Sequence, residues 1–238
     1  MDATEAGAGA ATRREVLAGA AASALTGLLW APSSAPAASL KSVNARLQGY
    51  GLPTVEKPPG GMSPLLEVYG RDTNRETLLV GWNYPSTWIV ERPSLDRNSE
   101  DGTVATGDYQ KGDTAFFFVG SKDLLGGSTL SSGDKALVTA VLQKAISQKG
   151  DNQYQSFKLK SVREGATAAN GQKYYVARFS YELLTGAGFT VDREGCASLT
   201  TVGSGVQALV AATTAKRFKK LQPELEEIAT SFRVYNGI

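Results

Sequence analysis

The most restrictive feature of this 238-residue chain is a run of strict alternation. Beyond Asn170-Gly171, Tyr175, Ala177, Phe179, Tyr181 and Leu183 fall on one side of an extended backbone, with Arg178, Ser180 and Glu182 on the other. A period of two suits a half-buried strand and no helix. Asn-Gly ahead of it is a strong signal for a type I′ hairpin. Phe157 and Leu159, alternating with Lys158 and Lys160, supply the strand before that turn. Phe189 to Thr201 and Val206 to Thr213 read as two more strands, with Gly203 and Gly205 at their turn. The sequence therefore predicts an antiparallel meander whose apolar face needs a cover.

Two segments can provide it. From Ser131 to Gly150, Leu137, Val138, Val141, Leu142, Ala145 and Ile146 recur at three- and four-residue spacing. Ser132 or Asp134 can cap the start of that helix, Lys144 and Lys149 suit its negative end, and Gly150 supplies a left-handed stop. The chain closes with Phe218, Leu221, Leu225, Ile228 and Phe232, again at helical spacing. Pro223 is expected to open the main closing helix, where a missing N–H is harmless, and Phe232 to Tyr235 to run on as a short strand. Upstream, Leu78 to Ile89 reads as strand, turn and strand, and the Phe-rich Thr114 to Val119 as a strand buried on both faces. Strands, helix, meander and helix make an α+β fold: a central antiparallel β-sheet flanked by helices. This domain is placed at residues 65–238. Residues 38–64 are expected to form a flexible lead-in, because Gly49, Gly51, Pro53, Pro58, Pro59, Gly60 and Gly61 fall at a density that no helix or central strand sustains.

Composition removes whole classes of chemistry. The chain has no histidine and one cysteine, Cys196. Without imidazole there is no Ser-His or Cys-His pair and no histidine base. One thiol makes neither an internal disulfide nor a four-ligand zinc site. No Gly-x-Ser-x-Gly elbow and no phosphate-binding glycine loop occurs. No catalytic residue is assigned, and Cys196 is read as a small buried hydrophobe. Trp82, Tyr84 and Trp88 could line a pocket, but as sheet residues they are expected in the core. A net charge of +2 is too small for a nucleic-acid surface.

The first 37 residues have the order of an export signal. Arg13 and Arg14 directly precede an apolar, Ala- and Gly-rich run from Val16 to Trp30, and Ala35-Pro36-Ala37 provides the small-x-small cleavage pattern. The run falls short of the ~20 strongly apolar residues of a stable span. Paired arginines indicate the twin-arginine route, with cleavage after Ala37. Met1 to Ala11 carries Asp2 and Glu5 and no basic residue, unlike a transit peptide. Either an organelle transit segment lies upstream or the protein is bacterial.

Several segments together resemble the PsbP-like family of thylakoid-lumen proteins: Tyr84-Pro85-x-x-Trp88, the Phe-rich strand ahead of a single amphipathic helix, the meander around Lys173-Tyr174-Tyr175, and the closing Glu226-Glu227-Ile228-Ala229-Thr230-Ser231-Phe232-Arg233-Val234. The resemblance spans about Leu65 to Val234. It implies an α/β/α sandwich and a non-enzymatic, extrinsic or assembly role at a photosynthetic membrane complex, peripheral to the thylakoid membrane, with photosystem subunits as partners. It also implies a lumenal location, with the bacterial periplasm as alternative. In the family's founding member, the oxygen-evolving-complex subunit, histidines contribute to metal sites. None exists here, so the resemblance implies a divergent paralogue. Two alternatives stay open: an extrinsic subunit of photosystem II, and an ion- or small-ligand-binding lumenal module.

Two polar segments are candidate sites. Lys216, Arg217, Lys219 and Lys220 put four cations in five residues, which either dock on an acidic protein loop or anionic headgroups or form a solvated run before a helix, anchored by Phe218. Asp96 to Gly102 faintly resembles a calcium loop, but its glycine is seventh rather than sixth and Gly107 stands at the twelfth position in place of Glu. A solvated polar turn is the expectation there, with no cofactor or metal ligand assigned and calcium as the alternative.

Overall fold

The structure, a computed structural model, describes residues 38–70, 77–92, 103–147, 153–168, 170–185 and 188–237. All described helices and strands fall in one compact unit, Ser34–Ile238. The signal residues Arg13, Arg14, Ala35 and Ala37, the Asp96–Gly102 loop, and Lys149 and Gly150 lie outside the described residues.

The fold is α+β, with both sheets antiparallel throughout. The larger sheet has seven strands: β3 (Ile89–Glu91), β4 (Ala105–Asp108), β5 (Asp113–Ser121), β6 (Gln153–Thr167), β7 (Lys173–Leu184), β8 (Thr190–Val202) and β9 (Gly205–Thr214), in the order β3-β4-β5-β9-β8-β7-β6. The meander predicted from the alternation is its β6 to β9 half. Tyr175, Ala177, Phe179 and Tyr181 face the helix α2 (Lys135–Ser147) with Val138, Val141 and Leu142. Asp134 caps that helix, its Oδ1 accepting from the Leu137 N–H at 2.9 Å. On the other face Tyr174, Val176, Cys196, Leu209 and Ala211 meet the second helix layer. One strand thus feeds two cores because its side chains alternate.

The β6–β7 turn differs from the expectation. Ala168 N–H bonds to Gln172 C=O at 2.9 Å, enclosing three residues rather than the two of a type I′ turn. Gly171 takes the left-handed conformation, φ 82°, and the Asn170 Oδ1 accepts from the Gln172 N–H at 3.1 Å.

The sandwich also departs from a single central sheet. β1 (Met62–Tyr69), β2 (Leu78–Pro85) and β10 (Arg233–Asn236) form a separate sheet in the order β1-β2-β10. Its inner residues Leu65, Val80, Trp82 and Tyr84 share a core with the closing helix α3 (Ala215–Ser231) and the seven-stranded sheet. Its outer face buries Leu66 and Leu79 under a helix that the sequence reading did not contain, α1 (Leu40–Gly49). Ser39 caps α1 by accepting from the Ser42 N–H at 3.1 Å, and Val43 and Leu47, one turn apart, point at the sheet. Part of the 38–64 segment expected as a flexible lead-in is therefore core structure. Only 52–59 runs without regular structure. There the Asn44 carboxamide donates to Val55 C=O and accepts from Val55 N–H, at 3.0 and 2.9 Å, in place of a sheet partner.

The closing helix also corrects the reading of Pro223. The helix opens at Ala215, two turns earlier, with Pro223 inside it. An interior proline costs about 3 kcal/mol, but the first two turns are held from outside: Phe218 is buried, and Arg217 is paired to a buried carboxylate. The basic segment is thus the start of α3, not a run ahead of a helix.

Candidate functional site

The described surface has a sizeable concavity, a cleft of about 570 Å³ beside the small sheet. It is lined by Leu52, Val55 and Pro59 of the irregular segment, by Leu66 and Trp82 of the small sheet, and by the end of α3 with β10. Its polar wall is already organised. The Asn83 Nδ2 donates to Glu227 Oε1 at 2.7 Å, and the Asn83 N–H donates to Ser231 Oγ at 2.9 Å. Ser231 Oγ in turn donates to Ile228 C=O at 3.3 Å. Arg233 Nη1 donates to Thr230 and Phe232 carbonyls at 2.8 and 2.7 Å, satisfying the end of α3. Ser231 is thereby a helix-end hydroxyl whose proton is committed to the Ile228 carbonyl.

Tyr174 ties the closing strand down. Tyr174 Oη accepts from Val234 N–H at 3.1 Å and from Gln172 Nε2 at 2.9 Å. Its ring meets Phe232 edge-on at 5.9 Å and carries the Arg233 guanidinium at 5.3 Å. Burial pushes the Tyr174 hydroxyl up to about 12, offset in part by its hydrogen bond to Val234 and by Arg233. The folded value lies above the ordinary value of 10, so this contribution is complete below pH 10 and is lost as pH rises through about 12. Tyr174→Phe should cost about 1–2 kcal/mol at neutral pH by leaving the Val234 N–H unpaired. It should also make alkaline unfolding shallower. Urea denaturation at pH 8 and 11 measures both, and identical pH profiles for variant and parent would refute the assignment.

The structure disperses the other candidates. Trp82, Tyr84 and Trp88 are all buried in the core, as expected of sheet residues, with Trp82 Nε1 donating to Thr106 Oγ1 at 3.3 Å. Cys196 is buried beside them, and burial, with Glu226 nearby, pushes its thiol up to about 12. Of the four cations at the start of α3, Lys216, Lys219 and Lys220 are exposed, whereas Arg217 grips Asp113. Among the described residues there is no group of three or more carboxylates or thiols placed to hold a metal ion. No described helix is long and apolar enough to cross a membrane.

The sequence reading missed the cleft. It is built from α1, the second sheet and the Asn83–Glu227 contact, residues 144 positions apart with no local pattern. Only α1 left a trace, in Ser39 followed by Val43 and Leu47.

No family model matches the chain, and no curated protein does. Among solved structures, the chain is similar to cyanobacterial PsbP. That match, the solution structure of the Synechocystis protein, is 19% identical, covers 76% of this chain and 99% of the other, and has a TM-score of 0.45.

Proposed function

We propose that this chain is a non-catalytic extrinsic protein of a photosynthetic membrane complex, acting by contact with photosystem subunits on the lumenal side. The observation that carries this reading is where the PsbP-like segments meet. Tyr84 and Trp88, Tyr174, and Ile228, Phe232 and Val234 come from three separate stretches of sequence and share one buried core. Tyr174 bonds directly to the backbone of the closing strand. The segments that carry the resemblance are therefore one structural unit rather than unrelated short matches. An extrinsic role also suits a chain with no imidazole and no described membrane-spanning helix. In this reading Arg13 and Arg14 direct export of the folded domain, and removal of residues 1–37 releases it.

Purification of the tagged chain from solubilised thylakoid membranes is the test. Photosystem subunits should be recovered with it, and its amino terminus should be Ala38. Recovery of the chain unaccompanied, with Arg13 and Arg14 still attached, would overturn the proposal. The cleft favours a second reading, a small-ligand module, because 570 Å³ falls in the usual size range of ligand pockets. A ligand that raises the melting temperature of the parent but not of Asn83→Ala would support that reading.

A further inference from the structure

One end of the seven-stranded sheet differs from the rest of the described surface. Five large apolar side chains are well exposed: Tyr50, Ile89, Tyr109, Leu184 and Phe189. The strand register puts four of them at the same end. Ile89 is opposite Gly107 at the start of β3, and Tyr109 sits in the turn after Asp108, which pairs with Asp113. Thr114 is opposite Ala212 near the end of β9, and Arg193 opposite Thr214. Leu184 is opposite Thr190, with Phe189 in the turn between them. The fifth, Tyr50, ends α1, away from this sheet end.

The same end carries the start of α3. In the order β4-β5-β9-β8-β7 that start lies between the Tyr109 turn and the Phe189 turn. The two turns are three strand spacings apart, about 14 Å. Both features run against the chain's own stability. Phe189 is 70% exposed and contributes little to the core. Its turn is nonetheless tightly held: Thr185 N–H bonds to Phe189 C=O at 2.9 Å, and Phe189 N–H to Thr185 Oγ1 at 3.1 Å. The first turn of α3 has no acidic residue and no side-chain cap from Thr214. Lys216 stands in that first turn, at the positive end of the helix dipole where a cation is disfavoured, with Lys219 and Lys220 in the next turn. Departures from local rules of this kind concentrate at functional surfaces. Arg217 and Phe218 fix the lysines on a rigid base. The charges that oppose them at this end are Asp108, paired to Lys111, with Glu91, the exposed Asp192 and, opposite Asp192, Glu182.

We propose that this sheet end rests on an anionic lipid surface, with Phe189 and its neighbour Leu184 entering the headgroup boundary and Lys216, Lys219 and Lys220 facing the lipid charges. Single apolar tips about 14 Å apart, with cations between them, suit a bilayer interface, where isolated apolar groups insert and long lysines reach headgroups. A stable protein partner would need a continuous face of about 800 Å², which separate turn tips do not make. The inference rests on these surface residues and is independent of the function proposed above.

Co-sedimentation with vesicles decides it, using the chain from Ser34, the compact unit that contains every described element. The parent should bind phosphatidylcholine vesicles doped with phosphatidylglycerol, release as salt rises, and bind pure phosphatidylcholine weakly. Lys216→Gln/Lys219→Gln/Lys220→Gln should lose on the order of a hundredfold, about fivefold per lysine. Phe189→Ser should lose about tenfold with its melting temperature unchanged. No binding to the anionic vesicles, equal binding to both vesicle types, or parental binding by the triple variant would each overturn the proposal. So would a triple variant that loses an acidic protein partner while the parent ignores vesicles.

Discussion

Replacing Arg217 with methionine is expected to destabilise the fold by about 3 kcal/mol at neutral pH, because it strands the buried Asp113 carboxylate. Asp113, at the start of β5, is 1% exposed. Its carboxylate accepts from Arg217 Nε at 3.1 Å, Arg217 Nη2 at 2.7 Å and Thr213 Oγ1 at 2.5 Å. Two parallel N–H···O bonds to one carboxylate form the strongest geometry such a pair has. Without the guanidinium, a nearly dry carboxylate keeps a single hydroxyl partner. Breaking a buried pair from one side costs about 3–5 kcal/mol, because a charge is stranded. The Arg217 side chain is 35% exposed, so water reaches the vacated space and the lower figure applies. Asp113→Leu combined with Arg217→Met should be milder than either change alone, since no charge is then buried. Urea midpoints at pH 7.5 measure all three chains. An Arg217→Met chain within 1 kcal/mol of the parent, or a double variant less stable than both single ones, would refute the account.

Gly195→Ala should be still more damaging, by about 3 kcal/mol or more. Gly195 lies in the middle of β8, between β7 and β9. A Cβ there would meet the backbone oxygen of Ala211 at 2.3 Å, the Phe179 ring at 2.8 Å and Ala212 Cβ at 3.0 Å. The Phe179 ring is itself stacked against Phe157 and Tyr181, at 5.8 and 6.0 Å, and has little room to yield. The backbone oxygen belongs to a central strand hydrogen-bonded on both sides, so relief requires moving β9. Interior packing is dense enough that such shifts propagate. Expression followed by urea denaturation is the test, with Gly165→Ala on the edge strand β6 as the comparison. There the nearest atoms are 3.2 Å away, so the milder outcome is expected. A Gly195→Ala chain as stable as that comparison would refute the packing argument.

What the sequence determined by itself is whatever repeats over a few residues. The alternation around Phe179 specified a sheet with two distinct faces, because a strand side chain has only two directions. The three- and four-residue spacing from Leu137 to Ile146 specified α2, with Ser132 or Asp134 as its cap, and the structure selects Asp134. The absence of histidine by itself removes imidazole chemistry. Local patterns misled where distant contacts outweighed them. Pro223 suggested a helix start, but Phe218 and the Arg217–Asp113 pair extend the helix two turns upstream. Glycine and proline around 49–61 suggested an unstructured lead-in, but the surface offered by Leu66 and Leu79 orders α1 just before them.

Only the tertiary structure decided how the strands divide into two sheets, because β10 joins β2 from more than 150 residues away and no spacing encodes that pairing. It alone placed Asn83 against Glu227 to make one wall of the cleft. It likewise gathered Tyr109, the α3 lysines and Phe189 at one end of the large sheet. Each of these depends on which backbone segments meet in space, and a sequence records local periodicity far more clearly than contact between distant segments.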